Sequence, residues 1–154
     1  MWERYPEVAG AQLAEVLLAR VHGERPVTLL GYSMGAKLIF HALISMAEHH
    51  GDKARGLVDD VVLLGGTMSR DVDEWRLVRS VVCGRLINGH SNNDWLLALL
   101  YRYKSWNLSV AGLGPVEDVA GVENVNLSSV ISSHTDYPRK MAQILTKVGI
   151  HGER

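Results

Sequence analysis

The stretch LLGYSMGAKLIF, residues 29–40, decides the fold class of this chain. It runs from an apolar segment of strand length into a serine held between two glycines, and then into a helical pattern. Gly31, Ser33 and Gly35 match the Gly-x-Ser-x-Gly elbow, a sharp strand-to-helix turn that lifts a serine hydroxyl clear of a sheet. We expect side chains at the two glycine positions to collide with neighbouring elements. The alternative is a tight turn in which Ser33 only caps the helix.

Around this stretch, short apolar segments alternate with segments of helical periodicity. The predicted strands are 27–32, 58–66, 83–91 and 123–130, and the predicted helices are 7–21, 35–48, 72–82, 94–103 and 137–148. Strands that are apolar on both faces and alternate with helices are typical of a parallel sheet covered on two sides. The pattern therefore predicts an α/β fold of about four parallel strands flanked by helices, formed by residues 1–154 as a single domain.

Composition and charge argue against several classes of partner. The 154 residues carry a formal net charge of −1, and no basic patch is interleaved with aromatics, so nucleic acid is not expected to bind. No secretory signal and no apolar run long enough to span a bilayer is present in the sequence. The single cysteine, Cys83, is expected to be buried, in a protein of the reducing intracellular compartment. Histidine spacing and the lone pair Gly112 and Gly114 predict neither a metal site nor a dinucleotide site, so no cofactor is expected.

Ser33 needs two partners to act as a nucleophile, because an alcohol at neutral pH reacts poorly without a general base and an acid that orients the base. In folds that carry this elbow the acid and then the histidine each follow a later strand. Asp94 follows the third predicted strand and His134 the fourth, at the rim where parallel strands end. The sequence therefore predicts a catalytic triad of Ser33, His134 and Asp94, with the Met34 amide donating to the oxyanion.

Other residues compete for the same roles. The remaining acidic candidates fit less well, because they precede their strand, open a helix or cap the last helix (Asp59, Asp60, Asp71, Asp73 and Asp136). His90, at the tip of the third predicted strand, is the rival base. Two alternatives also stay open: Asp94 could be only a helix cap, and His134 could be only a surface histidine.

Five segments carry a resemblance to a known family: RPVTLLGYSMGAKLIFHAL, VDDVVLLGG, RLINGHSNNDWLLALLYR, VAGLGPV and VENVNLSSVISSHTDY. They resemble the α/β-hydrolase-like proteins of unknown function typified by transmembrane and coiled-coil domain-containing protein four. The resemblance covers nearly all of residues 25–150. By position it implies the same triad, Ser33, Asp94 and His134.

The resemblance also implies hydrophobic membrane segments and the first half of a hydrolase sheet, both upstream of the residues given. We therefore expect this chain to be the C-terminal half of an α/β-hydrolase fold, with the N-terminal half missing and the full-length protein associated with a membrane. One edge of the sheet and the second oxyanion donor would then be lacking, and the isolated chain would turn over esters poorly.

The function expected from the sequence is that of a serine hydrolase acting on carboxylic esters, with a small-molecule or lipid-like substrate. The alternative is a non-catalytic module that keeps the hydrolase shape for interactions at a membrane. An activated serine distinguishes the two, because only the hydrolase needs one.

Overall fold

The computed structural model of the protein describes residues 4–102 and 110–150, apart from the side chains of residues 101 and 102. In these ranges the strands are β1 (Val27–Tyr32), β2 (Val58–Leu64), β3 (Leu86–His90) and β4 (Val122–Asn126). The helices are α1 (Tyr5–Leu18), α2 (Met34–His50), α3 (Val72–Val81), α4 (Trp95–Arg102), α5 (Asp136–Arg139) and α6 (Met141–Val148). Short 3₁₀ turns lie at Gly51–Ala54 and Ala111–Leu113.

The four strands form one parallel sheet in the order β1-β2-β3-β4. Tyr32 pairs with Leu64, Leu64 with Gly89, and Gly89 with Val125. The strands therefore end in register, and the segments that follow them emerge along one rim. The predicted α/β fold of four parallel strands flanked by helices is confirmed.

Two apolar cores cover the sheet, one for each set of alternating side chains. Val61 and Leu63 of β2 belong to the larger core, which also takes in buried residues of α1, α2 and α3. Val62 and Leu64 belong to the second core, which includes Tyr137 and residues of α6. Successive side chains of a strand point to opposite faces, so β2 supplies both cores.

The third strand begins later than predicted, at Leu86 rather than at residue 83. The amide of Cys83 donates to the carbonyl of Val58 and the amide of Arg85 donates to the Asp60 carboxylate, so these residues form a turn before the strand. Cys83 is exposed there. The expectation of a buried cysteine was therefore wrong, because the residue precedes the buried strand instead of opening it.

Two helices also differ from the pattern. The first ends at Leu18 rather than at residue 21, because Arg20 has a positive φ of 51° and turns the chain. The predicted helix 137–148 is instead two helices, α5 and α6, which meet at Lys140 with φ −109° and ψ 19°. Neither difference moves the rim of the sheet.

Strand β1 lies at the edge of the sheet in the part of the chain that the structure describes. Its side chains are less buried than those of β2 and β3, and Leu30 is 40% exposed. Ser33 follows this strand directly, so the predicted nucleophile lies at the outer end of the rim.

Candidate active site

Ser33 occupies the turn between β1 and α2, as the motif predicts. Its backbone has φ 54° and ψ −116°, a conformation that residues with a Cβ rarely adopt. The Ser33 amide donates to the carbonyl of Leu64 at 2.9 Å, and the Ser33 side chain makes no capping hydrogen bond to the helix. The capping alternative is therefore excluded, and the strained turn leaves the hydroxyl free for other partners.

The two glycines of the motif differ in what they require. A Cβ on Gly31 would lie 2.7 Å from the Ala36 amide nitrogen and 2.8 Å from the Ala36 Cα. These are backbone atoms that cannot move aside, so only glycine fits there. A Cβ on Gly35 would meet nothing within 4 Å. The expected collision therefore exists at Gly31 and not at Gly35.

His134 lies between Ser33 and Asp94 and contacts both. Its Nε2 is 2.8 Å from Ser33 Oγ, and its Nδ1 is 2.6 Å from Asp94 Oδ2. Asp94 is fully buried and His134 is 9% exposed. A buried carboxylate holds the ring proton on Nδ1, which leaves Nε2 free to accept the hydroxyl proton of Ser33. The structure thus brings the three predicted residues into one hydrogen-bonded chain.

Asp94 also caps α4. Its Oδ1 accepts a hydrogen bond from the Leu97 amide at 3.0 Å, while its Oδ2 is bonded to His134. The cap and the histidine contact were separate interpretations of the sequence, and both describe the structure. Each carboxylate oxygen has its own donor, so the helix fixes the direction in which Asp94 presents its second oxygen.

The loops that carry Asp94 and His134 are tied together by polar side chains that the sequence interpretation missed. Ser91 Oγ donates to the carbonyl of Ile131 at 3.1 Å, and Asn93 Nδ2 donates to the carbonyl of Ser128 at 2.8 Å. The Asn92 amide in turn donates to Ser128 Oγ at 3.0 Å. A run of Ser and Asn after a strand indicates a turn, but nothing in the run shows which loop it binds.

Asp136 supports the turn that holds His134. Its Oδ2 accepts from the amides of Ser132 and Ser133 at 2.9 and 3.2 Å, and it lies 3.3 Å from Lys140 Nζ. The Ser132 amide and the Lys140 ammonium hold the pKa of the Asp136 carboxyl below its usual range. The prediction that Asp136 caps the following helix was wrong, because the carboxylate faces the preceding turn.

Two tyrosines pack around the imidazole of His134. Tyr32 donates its hydroxyl to the His134 carbonyl at 2.8 Å, and the two ring centroids are 5.0 Å apart. Tyr137 lies 5.3 Å from the Tyr32 ring and 5.9 Å from the His134 ring. Burial, with a smaller effect of the Asp94 charge, raises the pKa of both phenols. Tyr32 therefore stays protonated and remains a hydrogen-bond donor at neutral pH.

His90, the rival base, is buried elsewhere along the rim. It is 5% exposed, its Nδ1 has no hydrogen-bond partner among the described residues, and no hydrogen bond joins it to Ser33 there. Burial, together with the charge of Arg70, lowers the pKa of His90. The position bonded to Ser33 is occupied by His134 instead.

The start of α2 offers a donor for a negatively charged oxygen. Met34 is the first residue of this 17-residue helix, so its amide has no acceptor within the helix. The first turn carries no acidic residue, and the positive end of the helix dipole lies beside Ser33. In residues 4–102 and 110–150, no three His, Cys, Asp or Glu side chains come together as a metal site.

Comparisons with known proteins match this chain to one family and to much longer proteins. The family model described as protein of unknown function, DUF726, matches residues 3–151. The chain is 43% identical over 143 residues to an uncharacterized membrane protein of Caenorhabditis elegans, covering 92% of the chain and 23% of that protein. It is 40% identical over 143 residues to a Saccharomyces cerevisiae protein named a probable lipase, covering 92% and 13%. It is 41% identical over 137 residues to a transmembrane and coiled-coil domain-containing protein of Oryza sativa, covering 89% and 20%.

The chain thus spans between 13% and 23% of the length of these relatives. No solved structure matches it. Two of the relatives are named for membrane or transmembrane character. Among the helices that the structure describes here, none has the length and apolar character needed to cross a bilayer.

Proposed function

This chain belongs to the family described as protein of unknown function, DUF726, and we propose that it is a serine hydrolase acting on carboxylic esters. One observation carries the proposal: Ser33 Oγ, the His134 imidazole and the Asp94 carboxylate form one hydrogen-bonded chain. The strained backbone of Ser33 supports it, because strain in such a turn persists where the surrounding structure imposes it, often at functional sites. A relative named a probable lipase supports the same reaction class.

The first half of the reaction forms an ester on the enzyme. Ser33 Oγ attacks the acyl carbon while its proton passes to His134 Nε2, and Asp94 stabilises the resulting imidazolium. The Met34 amide donates to the oxyanion of the tetrahedral intermediate. When that intermediate collapses, the bond to the alcohol breaks, and the alcohol leaves with the proton from His134. The acyl group is then bound to Ser33.

The second half returns the enzyme to its starting state. Water gives a proton to His134 Nε2 and adds to the acyl carbon, and the same amide holds the new oxyanion. Collapse breaks the bond to Ser33 Oγ, which recovers its proton from His134, and the carboxylic acid departs. Each proton that His134 accepts is returned within the same half-reaction, so one imidazole serves both.

A lipid-like ester is the substrate class that we assign to this site. Met34 directly follows Ser33 and is 41% exposed, so an apolar side chain lies beside the proposed nucleophile, as an acyl-chain substrate requires. The name of the Saccharomyces cerevisiae relative agrees with this assignment.

The test is covalent labelling of the folded chain with a fluorophosphonate probe. Labelling requires a single addition to an activated serine, so even a slow site gives a signal over hours. We expect labelling at Ser33, found by peptide mapping, and its loss in Ser33→Ala and His134→Ala. Ser45→Ala, a substitution within α2, is the matched control and should keep the label. An unlabelled native chain with a normal circular dichroism spectrum would favour the non-catalytic interaction module.

A further inference from the structure

Helix α4 exposes an unusual amount of apolar surface. Trp95 is 61% exposed, Leu99 is 45% exposed and Leu100 is 57% exposed, whereas Leu97 is 1% exposed and packs inward. Large side chains of this kind are normally buried, and several on one short helix mark a surface that contacts something else. Trp95, Leu99 and Leu100 form the α4 apolar surface.

The charge of the surrounding sequence indicates what that surface contacts. Residues 95–116 contain no Asp or Glu, and their charged residues are Arg102 and Lys104. Segments that combine Trp and Leu with Lys or Arg are typical of helices that lie in a membrane interface. Basic side chains next to such a helix are attracted to anionic lipid headgroups, and tryptophan favours the interfacial region.

The α4 apolar surface adjoins the active site. Trp95 directly follows Asp94, and the exposed Met34 directly follows Ser33. Both Asp94 and Ser33 bind His134, so Trp95 and Met34 each lie one position from a residue that is bonded to His134. An apolar phase that covers both Trp95 and Met34 therefore lies close to the hydrogen-bonded chain of Ser33, His134 and Asp94.

We propose that the α4 apolar surface, together with Met34, docks the protein on bilayers that contain anionic lipids. The proposal rests on the proposed function, because it supplies the means by which a lipid ester reaches Ser33. Apart from the indole N–H of Trp95, the exposed side chains of the surface are apolar. The basic residues Arg102 and Lys104 that follow this surface in the sequence complement anionic headgroups, so a bilayer is the occupant that the surface fits.

The experiment measures flotation of the chain with phosphatidylcholine vesicles that contain about a third phosphatidylserine. The variant Trp95→Ser/Leu99→Ser/Leu100→Ser removes the α4 apolar surface. The matched control Val8→Ser/Val16→Ser removes exposed apolar side chains of α1, which are 57% and 48% exposed. We expect the α4 variant to lose roughly tenfold or more of its vesicle binding and the α1 control to keep it. Equal binding by the α4 variant, or a loss confined to the α1 control, would overturn the proposal.

The charge contribution has its own test. Binding should weaken with added salt and on replacing phosphatidylserine by phosphatidylcholine, and Arg102→Gln/Lys104→Gln should remove most of that dependence.

Light scattering tests whether a second copy of the chain, rather than a bilayer, covers the α4 apolar surface. A chain that self-associates through the α4 apolar surface and fails to bind vesicles would show that a second copy covers it, and the membrane proposal would be wrong.

Vesicle binding does not depend on the reaction, so the two proposals can fail separately. Ser33→Ala should bind vesicles as the unaltered chain does. Vesicle binding without any labelling of Ser33 would leave docking intact and remove the hydrolase. Labelling of Ser33 with no binding that depends on the α4 apolar surface would do the reverse.

Discussion

The hydroxyl of Tyr32 donates a hydrogen bond of 2.8 Å to the backbone carbonyl of His134. Tyr32 is the variable residue between Gly31 and Ser33 in the elbow motif, so one turn carries both the proposed nucleophile and a support for its proposed base. The geometry of the base is therefore coupled to the strand that ends at the nucleophile.

Replacing Tyr32 by Phe should slow the labelling of Ser33. The ring would stay in contact with His134, but the loss of the hydroxyl would free the loop, and small displacements of a catalytic group cost roughly tenfold to a hundredfold in rate. Unfolding stability should fall by about 1 kcal/mol. Labelling rates with a fluorophosphonate probe and urea unfolding measure the two effects.

Tyr137→Phe is the control for that change. The Tyr137 hydroxyl is buried with no partner among the described residues, so its removal should leave stability unchanged or raise it by about 1 kcal/mol. Equal slowing in Tyr32→Phe and Tyr137→Phe would show that the hydrogen bond to His134 has no special role.

Asp94→Asn and Asp94→Ala should separate the two roles of this residue. Asparagine can still accept from the Leu97 amide, so α4 should keep its cap, but the charge that stabilises the His134 imidazolium is lost. Labelling of Ser33 should fall steeply in both variants. Only Asp94→Ala should also lose the free energy of unfolding that the helix cap contributes, about 1 kcal/mol. Equal helix content and stability in the two variants would contradict the capping role.

Alanine at Gly31 and at Gly35 should have opposite consequences. A Cβ at Gly31 meets backbone atoms of α2, so Gly31→Ala should destabilise the fold by about 2–3 kcal/mol. At Gly35 the space is open and the residue is helical, so Gly35→Ala should be neutral or stabilise by up to about 1 kcal/mol. Thermal unfolding of the pair measures the difference, and comparable losses would mean that both glycines are sterically required.

Ser33→Gly should be more stable than Ser33→Ala. Both variants remove the proposed nucleophile, but only glycine adopts a φ of 54° without strain. The strain is worth about 1–3 kcal/mol, and part of its relief is offset by the greater freedom of glycine in the unfolded chain. A net gain of about 1 kcal/mol is expected in urea unfolding. If the alanine variant were the more stable one, the turn would not be strained.

His90→Gln should reduce the loss of stability in mild acid. Burial lowers the pKa of His90 below 6.5, so at lower pH the unfolded chain binds a proton that the native chain does not. Stability is thus retained above about pH 6.5 and lost as the pH falls below it. The difference between wild type and variant is measured by urea unfolding at about pH 7.5 and about pH 5.5. Wild type and variant share the carboxylates Glu123 and Asp136, so a pH effect unchanged in the variant would contradict the role of His90.

The order of elements and the rim were predictable because they depend on local pattern. Apolar runs, glycines and chain order suffice to place Ser33, Asp94 and His134 after successive strands. The hydrogen bonds of Tyr32, Ser91 and Asn93 were not predictable, because their partners lie in loops distant in the chain, and such partners follow only from the packing of the whole rim.

The wrong predictions for single residues have two physical causes: a misplaced element boundary for Cys83 and a misjudged side-chain direction for Asp136. Cys83 lies only three positions before β3, and that short distance changes a buried residue into an exposed one. Asp136 opens a helix, and its carboxylate nevertheless accepts from the amides of Ser132 and Ser133 in the turn before that helix. Sequence pattern places a residue along an element more reliably than it places its side chain in space.

The strand order β1-β2-β3-β4 means that neighbours in the sheet are also neighbours along the chain. Each pair of adjacent strands is joined by a single helical crossover, so the sheet can assemble progressively as the chain is synthesised. The contact between Ser33 and His134 spans 101 positions and depends on the loop after β4. Ser33 would therefore form its hydrogen bond to His134 only when the segment after β4 has left the ribosome. Until then the Ser33 hydroxyl lacks its hydrogen bond to His134.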